Sequence, residues 1–168
     1  MIRAAVLTIS DSAYAGQRAD LSGPAVRERL EQLGWSVAAL EVLPDERELI
    51  AQRLATLADG NQDSAIFTTG GTGVAPRDVT PEATRSVVER EIPGLAELMR
   101  ARGREVTPRA VLSRGVAGTR GKVLVVNLPG SPKGALDSLD AIVDLVPHIL
   151  ELLRGSSQHA GEIAEKVR

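Results

Sequence analysis

Three short stretches of this chain bring together residue types suited to holding anions, phosphate above all. The first reads Thr68-Thr69-Gly70-Gly71-Thr72-Gly73 and lies just ahead of Thr80-Pro81. Consecutive glycines let backbone N–H groups turn inward as an anion nest, and a helix opening at Thr80-Pro81 adds the partial positive charge of its N-terminus. The same glycines would serve a tight strand-to-helix connection with no guest at all. The second stretch, Asn127-Leu128-Pro129-Gly130-Ser131-Pro132-Lys133-Gly134, repeats the arrangement, with Ser131 placed as N-cap and Pro132 in the first helical turn. Lys133 then sits where a cation opposes the helix dipole, at a cost of about 0.3–1 kcal/mol when exposed. An anion between Lys133 and the helix end reverses that sign, whereas a lysine pointing into water needs none. The third stretch, Ser10-Asp11-Ser12, offers hydroxyls and a carboxylate that could equally be turn caps.

Two further carboxylates have arginines beside them: Asp45 in Pro44-Asp45-Glu46-Arg47, and Asp78 in Pro76-Arg77-Asp78-Val79-Thr80-Pro81. Carboxylates near bound phosphates commonly hold magnesium. Taken singly, Asp45 reads as the N-cap of a helix from Glu46 and Asp78 as a turn residue before Thr80. The familiar phosphate motifs do not fit. A Walker loop ending in Gly121-Lys122 would need glycine where Val116 stands and Ser or Thr where Val123 stands, and G-x-G-x-x-G fails because Pro76 follows Gly71 and Gly73.

These loops need a frame that presents them at one edge. Residues 2–9 are short, aliphatic and β-branched, the pattern of a buried strand, and 24–33 carry Val26, Leu30 and Leu33 at helical spacing before Gly34. Residues 35–43 read as a strand and 46–58 as a helix closed by Gly60. Residues 64–69 read as a strand running into the glycine loop, with a helix from Thr80 capped by its own hydroxyl. A helical stretch around 95–102 leads to 110–112, and 122–127 form the last strong strand. The final helix opens at Ser131-Pro132, repeats Leu136, Leu139, Val143, Val146, Leu150 and Leu153 along one face, and should kink at Pro147. Strands alternating with helices predict an α/β fold, a mainly parallel central sheet with helices on both faces. Ligands of such sheets bind beyond the carboxyl ends of the strands, where strand order reverses. Residues 1–155 form one domain in this reading, and 156–168 a polar, weakly ordered tail.

Composition narrows the chemistry. The 168 residues include no cysteine and two histidines, His148 and His159, so disulfides, thiolate nucleophiles and Cys/His zinc sites are out. A helical histidine beside Pro147 is given no role. Twenty Lys plus Arg against 22 Asp plus Glu leave no basic excess for a nucleic-acid backbone, and one Trp, one Tyr and one Phe give no stacking platform for bases. No apolar run reaches the roughly 18 residues of a membrane span, and the first residues do not read as a secretory signal, so a cytoplasmic protein is expected.

Read jointly, the glycine loop, Arg77-Asp78-Val79-Thr80-Pro81-Glu82-Ala83-Thr84, Ser113-Arg114 and the segment from Asn127 to Gly134 are distinctive. In order and spacing, from the first strand to about residue 155, the chain resembles the molybdopterin adenylyltransferase family of molybdenum cofactor biosynthesis. The resemblance implies the molybdopterin-binding (MogA/MoaB-like) α/β fold and the reaction of Mg-ATP with molybdopterin to give adenylylated molybdopterin and pyrophosphate. It makes Asp45 and Asp78 the required aspartates near Mg2+ and the ATP phosphates, and the loop of Thr69, Gly70, Gly71, Thr72 and Gly73 the nucleotide loop. Ser10 and Asp11 fall beside the same pocket, and Ser113, Arg114, Asn127, Gly130, Ser131, Pro132 and Lys133 line the pterin and phosphate side. It further implies a homotrimer, or a hexamer built as a dimer of trimers, and hand-over of product to the molybdenum insertion enzyme. Gly134 running directly into Ala135-Leu136 is similar to the compact members, which lack an insertion there. A molybdopterin carrier or scaffolding paralogue on the same fold is the alternative, and a pyrophosphatase acting on a dinucleotide ranks last.

Overall fold

The computed structural model describes residues 1–60, 62 and 64–155. In chain order the regular elements are β1 (Arg3–Ile9), a single turn α1 (Asp11–Tyr14), α2 (Ser22–Gln32), β2 (Ser36–Leu43), α3 (Arg47–Asp59), β3 (Ala65–Thr69), α4 (Thr80–Arg85), β4 (Arg90–Glu91), α5 (Pro93–Val106), β5 (Ala117–Arg120), β6 (Val123–Leu128), α6 (Pro132–Ile142) and α7 (Val146–Leu153). They build one six-stranded sheet in the order β2-β1-β3-β6-β5-β4. The four strands from β2 to β6 run parallel, while β5 and β4 close one edge antiparallel.

Alternation along the strands divides the core in two. Ala4, Val6, Phe67, Leu124, Val126 and Leu128 face a layer made by α2, α5, α6 and α7, while Ala5, Leu7, Ile9, Ile66 and Val125 face α3 and α4. A strand buried on both faces has no polar side to show water, which is why β1, β3 and β6 read as continuous apolar runs. The lone Trp35, just ahead of β2, rests near Phe67 with ring centroids 6.2 Å apart.

From β1 the chain passes to one neighbour, β2, and then returns to the other side for β3, so strand order reverses between β1 and β3. The loops after these two strands and after β6 therefore meet at the carboxyl edge, as the sequence pattern requires.

Several expectations shift. The helix expected over 24–33 is α2, which starts at Ser22, two residues early, with the single turn α1 ahead of it. Val79, not Thr80, is the N-cap of α4, and the Thr80 hydroxyl instead donates to the Gly70 carbonyl at 3.0 Å. The helix from Pro132 ends at Ile142 in a 3-10 turn, Val143–Leu145, and Pro147 sits in the first turn of α7, where its missing N–H costs nothing. Residues 108–112 form a 3-10 turn packed on α5. Strands β4 and β5 add an antiparallel edge that the sequence pattern does not predict. Among the described residues no helix is long and apolar enough to cross a membrane. The expected tail, 156–168, lies outside the described residues.

Candidate active site

The glycine loop owes its shape to three neighbours. Gly70 and Gly71 hold φ of 101° and 64°, the left-handed region that side chains resist. A side chain at Gly70 would strike the Ile9 carbonyl, and one at Gly130 would lie 3.2 Å from the Gly70 Cα, so the loops after β1, β3 and β6 touch backbone to backbone. Thr69 is buried, and its hydroxyl donates to the Pro129 carbonyl at 2.6 Å. The Gly70 and Thr80 N–H groups donate to the Leu128 and Gly71 carbonyls at 3.2 and 3.1 Å.

Two cavities open on either side of this junction. The smaller, about 240 Å3, is lined by Ser10, Asp45, Thr69, Gly70 and Pro132, and also by Arg18 and Asp20. The larger, about 480 Å3, takes Thr72, Gly73, Ser113, Asn127, Ser131 and Lys133 on one wall and the apolar Ala96, Met99, Val106 and Leu112 on the other. Gly71, Asp78 and Gly130 line both. A volume of about 480 Å3 with apolar walls and a few convergent polar groups suits a small organic ligand.

Ser10 caps α1, accepting from Ala13 N–H at 3.2 Å. Asp11 and Asp45 clasp each other through the main chain: Asp11 N–H donates to Asp45 Oδ2 at 2.9 Å, and Asp45 N–H to Asp11 Oδ1 at 3.0 Å. Asp45 therefore does not cap α3; Glu46 occupies that position without a side-chain capping bond. Arg77 donates to both Asp11 oxygens at 2.5 and 3.1 Å, to the Asp45 carbonyl at 3.2 Å and to Glu46 at 2.9 Å. Arg77 holds the Asp11 carboxyl below the ordinary carboxylate range, and Asp11 lines neither cavity. Burial, reinforced by the negative charges of Asp11 and Asp78, pushes the Asp45 carboxyl up despite the Asp11 amide. Asp78 is a turn residue as well as a wall: its Oδ2 accepts from Ala75 N–H at 2.9 Å.

On the other side Asn127 is fully engaged. Its carbonyl oxygen accepts from Val116 N–H at 3.1 Å, and its amide donates to the hydroxyls of Thr68 and Thr84 at 3.0 and 2.8 Å. Ser131 caps α6, accepting from Gly134 N–H at 3.1 Å. The Lys133 side chain is 71% exposed, and its ammonium meets Asp137 one turn on at 2.7 Å, which relieves its misfit with the helix dipole. Arg114 faces the glycine loop rather than either cavity. Sequence reading missed Arg18, Asp20 and Arg100; the first two lie in the charged loop after β1, and Arg100 on the face of α5 shared with Met99.

Among the described residues no three carboxylate or imidazole groups converge as a ready cation cage. Asp45 and Asp78 at one junction fit instead an ion that accepts one or two carboxylates and completes its shell with water and phosphate, as magnesium does. An α/β protein with a polar, carboxylate-bearing pocket joined to an apolar cavity across a glycine loop is equipped to bring a charged group against an organic ligand.

Residues 5–148 match the family described as the probable molybdopterin binding domain. Over 163 residues the chain is 41% identical to a molybdopterin adenylyltransferase of Helicobacter pylori, with 96% of this chain and 93% of that protein aligned. It is 38% identical over 168 residues to the Escherichia coli molybdopterin adenylyltransferase, covering 92% and 86%. The solved molybdopterin biosynthesis enzyme MoaB of Thermus thermophilus superposes with a TM-score of 0.87 at 52% identity, covering 92% of this chain and 98% of that one. The tungsten cofactor synthesizing protein MoaB of Pyrococcus furiosus does so with 0.82 at 33%, covering 92% and 98%. The chain belongs to the molybdopterin-binding domain family.

Proposed function

We propose that the chain is a molybdopterin adenylyltransferase, joining the adenylyl group of ATP to the terminal phosphate of molybdopterin with release of pyrophosphate. The observation that carries this reading is the junction itself: Gly71, Asp78 and Gly130 line both cavities, and Asp45 lines the smaller. The apolar larger cavity takes the pterin, and the smaller takes the ATP phosphates. A phosphate oxygen of molybdopterin attacks the α-phosphorus of ATP, a new P–O bond forms, and the bond to the β-phosphate oxygen breaks. The attacking phosphate is already ionised at neutral pH, so no general base is needed, and catalysis rests on alignment and charge neutralisation. Because the Gly70 N–H is held by the Leu128 carbonyl, the anionic groups fall to the loop N–H groups beyond it and to Lys133, released from Asp137. Asp45 and Asp78 would hold magnesium, which when bound supplies neutralisation of the charge on pyrophosphate. The raised Asp45 carboxyl supports this, since a crowded, partly buried carboxylate gains most from a cation. The reading includes residues 1–155 as the working domain, a trimer or a hexamer of two trimers, a cytoplasmic setting and delivery of product to the molybdenum insertion enzyme.

Incubation with Mg-ATP and molybdopterin, following pyrophosphate and the mass of the adenylylated pterin, tests it against an Asp45→Asn, Asp78→Asn double variant. Product from the unaltered protein alone is expected. Molybdopterin binding with no product from either would replace the reading with that of a carrier.

A further inference from the structure

We propose that Arg114 is a positioning residue that sets Asp78 at the junction of the two cavities, not a ligand contact; the inference rests on the function just proposed. Ser113 and Gly115, on either side of it, line the larger cavity, but Arg114 lines neither. Its side chain, 35% exposed, reaches across to the loop between β3 and α4. Nε donates to the Gly73 carbonyl and Nη2 to the Asp78 carbonyl, both at 2.7 Å. Nη1 donates to Glu82 Oε1, and Nη2 reaches Glu82 Oε2 at 3.5 Å. The Arg114 N–H adds a bond to the Thr72 carbonyl at 2.8 Å.

Four of the five N–H groups of the fork are thus directed at protein acceptors, which leaves little for an anion. The acceptors stand on both sides of residues 74–77, so the fork closes that loop like a clasp. Inside the loop, Ala75 N–H holds the Asp78 carboxylate. Glu82 is kept ionised for the pairing, its carboxyl held below the usual range by the guanidinium. Arginine is the side chain this geometry demands, because an ammonium has no planar fork to span two carbonyls and a carboxylate.

The test compares Arg114→Lys with the unaltered protein well below the melting temperature of each. It reads kcat for adenylylation, the molybdopterin dissociation constant without ATP or metal, and amide exchange at Ala75. Arg114→Lys should lower kcat tenfold or more, leave the dissociation constant within twofold, and speed exchange at Ala75. A tenfold weaker molybdopterin affinity with unchanged kcat would make Arg114 a ligand contact and overturn the proposal, as would no change in either. Glu82→Gln keeps the carbonyl contacts and serves if the lysine variant does not fold: a smaller fall in kcat at constant affinity supports the clasp, and no fall overturns it. Should the unaltered protein form no product, the proposed function fails separately, and exchange at Ala75 alone decides: faster exchange in the variant supports the clasp, and equal exchange overturns it.

Discussion

Replacing Gly71 by alanine should be far more damaging than the same change at Gly121, although both residues hold left-handed backbone, with φ of 64° and 54°. The conformational penalty is shared, about 1–2 kcal/mol. At Gly121 nothing lies within 4 Å of the added methyl. At Gly71 the methyl would overlap Thr80 Oγ1 and stand 3.0 Å from Asp45 Oδ1 and 3.3 Å from Ile9 Cγ2. Thr80 is fully buried and donates to the Gly70 carbonyl, so it cannot turn aside without losing that bond. Overpacking adds about 1–3 kcal/mol and the lost hydrogen bond about 1, for a total of about 3–6 kcal/mol. In a chain of this length each kcal/mol moves the melting midpoint by about 2–4 °C. Calorimetry should therefore show a fall on the order of 6–24 °C for Gly71→Ala and on the order of 2–8 °C for Gly121→Ala. Equal falls would refute the argument that crowding, beyond backbone handedness, demands glycine at position 71.

Asp45→Asn should abolish adenylylation yet raise the melting midpoint at neutral pH. A carboxyl raised in the folded state contributes stability below its unfolded value near pH 3.9 and loses it as pH rises through the folded value, so the variant's advantage should vanish in acid. A midpoint unchanged at pH 7 would contradict the crowding around Asp45. Asp11→Asn should do the opposite, because Arg77 lowers the Asp11 carboxyl: the variant is less stable at neutral pH and matches the unaltered protein once pH falls through the folded value, checked by the same pH series. Asn127→Ala strands Val116 N–H and the hydroxyls of Thr68 and Thr84 and should cost about 2–4 kcal/mol in urea unfolding. A loss below about 1 kcal/mol would mean that the hydroxyls find other partners.

The parallel strands were legible because each is aliphatic and each strand-end loop carries its own local chemistry. Ser131 reads as a cap and is one, and the glycines at 70 and 71 are where the backbone bends left-handed. Strand β4 is hidden because Arg90–Glu91 is exposed and only two residues long, and β5 because Ala117–Arg120, though mostly buried, is four residues with a single β-branched side chain; β4 exists only through pairing with β5. The errors at the site share that cause. Asp45 reads locally as a cap, but its carboxylate goes to the main chain of Asp11, 34 residues away. Arg114 stands beside cavity residues in sequence and points the other way in space, for acceptors 32 to 41 residues distant. Spacing encodes contacts along one element and is silent on those that long side chains make between loops.

Trp35 lies just ahead of β2 and packs beside Phe67 in the core, while both cavities open where the strands end, and it lines neither. The chain's sole indole is thus an optical probe of whether the aliphatic layers are assembled and is insulated from direct contact with whatever occupies the loops. Fluorescence at the tryptophan edge will follow melting cleanly, and ligand titrations call for a probe placed at the strand-end loops.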